Sequence, residues 1–252
     1  MSNSDAGYTL RLQAPIRAFT ARNLQDFAEC PRKFMLSHFA TRRGGHEFLG
    51  GPGMLGRAVR GALLCMYAVA DPAAFGLEAL LEAFEEGWEP ALCADSLEQE
   101  TLHKDGIRML ERHHESPLDL PGPLDTDVRF EQTIGEYSFV AVADIVSKSP
   151  ATVVRITTSR RPVSAGELTG DISWGLLALV ATQAMGGEVT CVMADMRKNR
   201  RVCFTLEDQQ RERIQQRVTA LAKRIRGEQQ FAPIKGKQCR WCRSRRECPA
   251  WR

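Results

Sequence analysis

The sequence predicts an α/β protein with a mixed sheet flanked by helices, and three observations carry that expectation. The apolar pattern has a helical period up to about residue 115 and an alternating one after Pro123. The order after that change is three strands, a helix, two strands and a helix, which fits a sheet covered by helices. The chain has 252 residues and 43% hydrophobic content, enough for one large domain with an ordinary core.

Residues 1–18 read as a lead-in, with a short strand expected at 8–12. Thr20 is a suitable N-cap for a helix running to about residue 40, where Leu24, Phe27, Phe34, Met35 and Leu36 lie near helical spacing. Pro31 falls inside that pattern and is expected to split it, leaving Cys30 at the break. Glycines at 44–45 and 50–53 mark a loop. Helices are expected at 54–70, 73–87 and 95–115, followed by a proline-rich break at 117–123. Strands are expected at 127–133, 137–146 and 152–158, the first two joined by a turn at Gly135-Glu136. An apolar helix at 170–185, strands at 189–196 and 201–206 around a turn at Asn199, and an amphipathic helix at 207–226 complete the pattern. The segments then group as 1–43, N-terminal helices; 44–123, a helical insertion; 124–230, the α/β core; and 231–252, a cysteine-rich tail, all in one composite domain.

Bulk charge excludes little, because a net charge of +3 does not announce a nucleic-acid binder. Its distribution says more: cations concentrate at 197–201 and 240–246. No window offers the roughly 18 apolar residues of a membrane span, and the N-terminus lacks the basic-then-apolar order of a signal peptide. The expectation is a cytoplasmic protein in a reducing compartment, without a disulfide framework. Cys65, Cys93, Cys191 and Cys203 then read as buried small hydrophobes. His103, His113 and His114 read as surface residues of an acidic helical segment.

The remaining cysteines carry chemistry. Cys239, Cys242 and Cys248 stand with two and then five residues between them, which is metal-ligand spacing. Three thiolates leave a tetrahedral or cubane site one ligand short. Cys30, in Cys30-Pro31-Arg32-Lys33-Phe34, is the candidate fourth; Cys203 is the alternative for a zinc site.

A Cys-Pro-x-Lys-Phe-like helix, a helical lobe, a strand–strand–strand–helix core and a terminal Cys-x2-Cys-x5-Cys-Pro cluster occur together in one group. The chain resembles the RecB-like branch of the PD-(D/E)XK nuclease superfamily, and within it the iron–sulfur members, the AddB-type subunits and the CRISPR adaptation exonucleases. The resemblance covers nearly the whole chain. It implies a restriction-endonuclease-like core and a [4Fe-4S] cluster on Cys30, Cys239, Cys242 and Cys248, with zinc as the alternative. Such nucleases hydrolyse phosphodiesters with a divalent cation that polarises the phosphate and generates hydroxide.

The family's catalytic positions fit this sequence poorly. Its second-strand aspartate matches Asp144, but Arg155 stands where the second carboxylate belongs and Thr157 where the lysine belongs. Arg60 stands at the position of the histidine, and the family's glutamine and tyrosine are not evident in residues 173–177. A guanidinium does not deprotonate, so Arg155 is expected to pair with Asp144 and Mg²⁺ is not expected to bind. Glu131, Glu167, Asp171 and Lys148 are the residues that could restore an active site from neighbouring elements. The expectation is a nuclease fold without catalysis that binds DNA or scaffolds a protein partner in a DNA-processing complex. An active nuclease with migrated ligands, or an adaptor that never touches nucleic acid, are the alternatives. Arg197, Lys198, Arg200, Arg201, Arg240, Trp241 and Arg243 are the candidate DNA contacts, the tryptophan as a stacking surface, with Arg160 and Arg161 adding charge nearby.

Overall fold

The computed structural model describes residues 16–39 and 50–251; the strand expected at 8–12 and the glycines at 44–45 lie outside them. Among the described residues the sheet has six strands: β1 (Phe19–Thr20), β2 (Leu124–Ile134), β3 (Tyr137–Lys148), β4 (Ala151–Thr157), β5 (Thr190–Asp195) and β6 (Arg200–Phe204). They run in the order β1-β3-β4-β5-β6, with β2 paired to β3. The sheet is mixed, because β1 with β3 and β4 with β5 are parallel while the other pairs are antiparallel. A mixed sheet between helices is therefore the observed fold.

Helices cover both faces. On one lie α1 (Ala21–Glu29), α2 (Pro31–His38), α7 (Ile172–Met185) and α8 (Asp208–Gly227), around a core with Phe34, Phe139, Val153, Cys191, Leu176 and Val218. On the other lie α3 (Gly50–Tyr67), α4 (Leu77–Glu86) and α5 (Ser96–Glu115), around Leu55, Phe84, Leu110, Val154, Val192 and Ala194. Successive residues of β4 and β5 thus enter opposite cores, the pattern of strands buried on both faces. Among the described residues, the helices of the segment 50–115 cover this second face of the sheet.

Local chemistry explains the boundaries. Thr20 and Asn23 form a reciprocal capping box at the start of α1. Cys30, extended at φ −166°, separates α1 from α2, and Pro31 opens α2. The loop expected at 50–53 is instead the first turn of α3. Pro52 is tolerated there because first-turn N–H groups have no helical partner. A Cβ at Gly51 would lie 2.7 Å from Leu102 Cδ1, so the Leu102 side chain would have to shift to admit one. The helix expected at 170–185 is divided: α6 (Ala165–Gly170) ends before Asp171, which caps α7 through the Ser173 and Trp174 N–H groups. Asn199 takes φ 45° in the β5–β6 turn, a conformation asparagine tolerates.

Of the four cysteines expected to be buried, only Cys191 is. Burial pushes its thiol up to about 12. Cys65 lies on the outward face of α3 and Cys203 on the open face of β6, both exposed, and Cys93 is half-buried. His113 is also a correction, at 2% exposure. It continues the inward stripe Leu102, Gly106, Met109 and Leu110 on α5, and its Nε2 lies 2.7 Å from the Tyr67 hydroxyl. Burial lowers its pKa to about 4.

Candidate active site and metal centre

The strand alternation breaks at Asp144. Ala143 enters the core under α7 and Ile145 the core under α3, although they are two residues apart. The β3–β4 ladder starts only at Ile145↔Val154. The β2–β3 ladder omits the pair formed by Asp127 and Asp144, and Asp127 takes φ 53°. Asp144 therefore sits where backbone pairing lapses on both sides, and its side chain replaces the missing partner: Oδ2 accepts the Ile156 N–H at 2.6 Å.

Oδ1 of Asp144 accepts Nε of Arg60 at 2.6 Å, and Nη2 of the same guanidinium donates to Asp127 Oδ1 at 2.6 Å. Arg60 reaches in from α3, the layer above this face. Burial alone would lower its pKa, but the bonds to Asp144 and Asp127 raise it. Asp144 is 6% exposed and has both oxygens matched.

The expected Asp144–Arg155 pair does not form. Arg155 follows Val153 toward α7, where Nε donates to the Val142 carbonyl at 2.9 Å and Nη1 to Ser173 Oγ at 2.7 Å. Its guanidinium lies 5.4 Å from the centre of the Trp174 ring. Burial lowers its pKa and the Asp144 charge opposes that. Thr157 stands beside Gly56, Thr158, Ser159, Arg160 and Arg197 in an open cleft between the starts of α3 and α5 and the end of β4.

The residues that could rebuild a cation site are engaged elsewhere. Glu131 accepts from Arg129 and Ser138, Glu167 belongs to the Ser164 capping box, Asp171 caps α7, and Lys148 pairs with Asp125 at 2.8 Å. Asp127 is the residue that the sequence reading missed. The two-residue turn after Ile134 carried the signal: counting seven residues away from Ile134↔Tyr137 along each strand places Asp127 opposite Asp144.

The second site joins the chain's ends. Cys30, Cys239, Cys242 and Cys248 line one pocket, together with Lys33, Ser244 and Arg245. Cys203, on β6, is not among its lining residues. Among the described residues, no three of His, Cys, Asp or Glu are gathered into a ligand sphere. The donor set nevertheless fits a sulfur-bound metal. The Ile234 N–H points at Cys30 Sγ, 3.3 Å away, and the Ser244 N–H at the Cys242 sulfur. Such donors suit thiolates, since a neutral thiol is a weak acceptor. Burial pushes the Cys242 thiol up, while the Ser244 N–H and Lys33 oppose that rise. Lys33 is itself fixed by Asp26 at 2.8 Å and Glu29 at 2.6 Å. The Ser244 hydroxyl, in this pocket, is buried and has no partner.

The candidate DNA contacts divide into two sets. Arg197 is bound to the Thr158 carbonyl and Asp105, both at 2.7 Å, with its side chain 17% exposed. Arg200 is paired with buried Asp195, and Arg201 donates to the Pro117 carbonyl. These three fasten the β5–β6 turn to its neighbours. Lys198, Arg240, Arg243 and Trp241 are exposed, Trp241 at 86%.

A mixed sheet between two helical layers, with one buried aspartate where its pairing lapses, defines the class as a nuclease-type α/β protein. The chain belongs to the PD-(D/E)XK nuclease superfamily, whose family model matches residues 18–249. A crystal structure of a "Putative exonuclease" from Eubacterium rectale aligns with a TM-score of 0.53 at 10% identity, over 90% of this chain and 87% of that one. That likeness speaks for the fold alone. The structure of SSO0001 aligns over 88% of this chain and 95% of that one at 16% identity, with a TM-score of 0.33, too low for a structural argument. No curated protein matches the sequence. No helix among the described residues is long and apolar enough to cross a membrane.

Proposed function

We propose that this chain is a non-cutting member of its superfamily, an iron–sulfur protein that binds DNA or scaffolds a DNA-processing complex. One observation carries the reading: the Arg60 guanidinium bridges Asp144 and Asp127, in the place where a nuclease of this fold needs a divalent cation. A permanent cation on a helix cannot polarise a phosphate and activate water as Mg²⁺ does. The carboxylate that does lie beside Asp144, that of Asp127, is held by the same guanidinium, and Arg155 and Thr157 stand at the positions of the relatives' second acid and lysine.

Cys30, Cys239, Cys242 and Cys248 would hold the [4Fe-4S] cluster. Bound there, it would tie α1 and α2 to the tail and add a metal-dependent contribution to folding. DNA binding is supported by superfamily membership and by the tail, where six cations and one acid lie between Lys235 and Trp251 around exposed Trp241. The test incubates the full chain with labelled single- and double-stranded DNA in Mg²⁺ or Mn²⁺ across a salt series. The reading expects binding that weakens steeply with salt and leaves the DNA intact. Cleavage that disappears in Asp144→Ala would overturn it.

A further inference from the structure

Ser244 is 1% exposed and its Oγ has no hydrogen-bond partner. A buried hydroxyl left unmatched is destabilising, so a partner for it is expected in the working molecule. The hydroxyl does not cap the helical turn that follows, Arg245–Glu247. The residue borders the pocket of the four cysteines, and its own backbone N–H is directed at the Cys242 sulfur. The pocket is lined by the sulfurs of Cys30, Cys239, Cys242 and Cys248, which accept hydrogen bonds well once they are anionic.

We propose that Ser244 Oγ–H donates a hydrogen bond to a sulfur of the loaded metal centre and so stabilises the centre's reduced state. The proposal rests on the iron–sulfur reading of the four cysteines. Reduction adds negative charge that spreads over the sulfurs, and a donor aimed at them strengthens as it does so. Ser244 is a positioning residue, since it acts through the cluster's sulfurs and binds no iron.

The test is a redox titration of full-length protein purified without oxygen, in which dithionite supplies one electron and visible absorption reports it. Iron and sulfide are measured on the same samples, and the native chain is compared with Ser244→Ala and Ser244→Thr. With iron content equal, Ser244→Ala should have the more negative potential. Its reduced-to-oxidised ratio at a fixed potential should fall by about two- to tenfold, the reach of one ordinary hydrogen bond, while Ser244→Thr stays near the native value. Equal potentials in the native and alanine proteins overturn the proposal and leave the iron–sulfur reading standing. If the alanine protein loses its iron, retention by the threonine protein supports the hydroxyl, and loss from both overturns it. A native protein without iron removes the iron–sulfur reading and this proposal with it.

Discussion

Asp144 and Ser244 are both buried, at 6% and 1% exposure, yet Asp144 has both oxygens matched while Ser244 Oγ has no partner. Around Asp144 a backbone N–H and a guanidinium from α3 complete the network. Around Ser244 the pocket is rimmed by thiols, with two backbone N–H groups aimed at sulfur. The difference teaches how to read a polar site of a familiar fold. A satisfied network needs nothing more to be stable, whereas an unsatisfied one points to a ligand.

The largest effect is expected at the open site. Cys30→Ser and Cys248→Ser should each lose the cluster and release the tail from α1 and α2. A loss of about 5 kcal/mol is a modest part of what a structural metal contributes, and for a chain of this size it lowers Tm by roughly 10–20 °C. Calorimetry of oxygen-free samples checks this. A variant that keeps both iron and Tm would break the contrast by showing that the substituted thiol is not a ligand.

The next effect belongs to the closed site. Arg60→Ala leaves Asp144 buried and unpaired, which costs about 3–5 kcal/mol for a fully buried pair. About 2–3 kcal/mol is expected here, because the Arg60 side chain is 34% exposed. Mn²⁺ should restore part of that loss in Arg60→Ala and leave the native protein unchanged. Stabilisation of the native protein by Mn²⁺, abolished in Asp144→Ala, would place a cation where the structure has an arginine.

His113 extends the contrast, since burial favours its neutral form and the Tyr67 hydroxyl lies 2.7 Å from its Nε2. Its folded pKa of about 4 lies below the ordinary 6.5. The unfolded chain therefore takes up the proton first as pH falls. The stability is fully present above pH 6.5 and is lost as pH drops through 4. A loss of about 3 kcal/mol follows from a shift of that size. His113→Gln should flatten this part of a denaturant-melt pH profile; an unchanged profile would show that His113 is not the group that titrates.

The smallest effect is expected in the proposed DNA binding. Trp241→Ala should weaken single-strand binding by about 1–2 kcal/mol, the value of one stacked base. Arg197→Ala should leave affinity unchanged while lowering Tm, because its guanidinium joins Thr158 to Asp105. Fluorescence anisotropy on both variants separates the exposed cations from those fixed in the fold.

The fold was legible because alternation after Pro123 and the Pro31 break are local signals. That Cys30 meets the tail cysteines in one pocket was expected because the tail's spacing leaves a ligand set one thiol short. The partner of Asp144 was not, because residue types told nothing of which core each strand position faces. Arg155 follows Val153 toward α7, and Arg60 comes from a helix 84 residues away in sequence. Asp127 needed the hairpin register, which the Gly135 turn held unread. His113 was hidden by its residue type although its spacing on α5 was that of a core position. The first turn of α3 was hidden by glycines that normally signal a loop.

The most direct test is a metal analysis of the native chain, purified without oxygen, equilibrated with excess Mn²⁺ and then freed of unbound ion. The account predicts about four irons per chain, as a [4Fe-4S] cluster requires, and no retained manganese. Retained manganese that disappears in Asp144→Ala would contradict it, and would make the buried aspartate a working metal ligand.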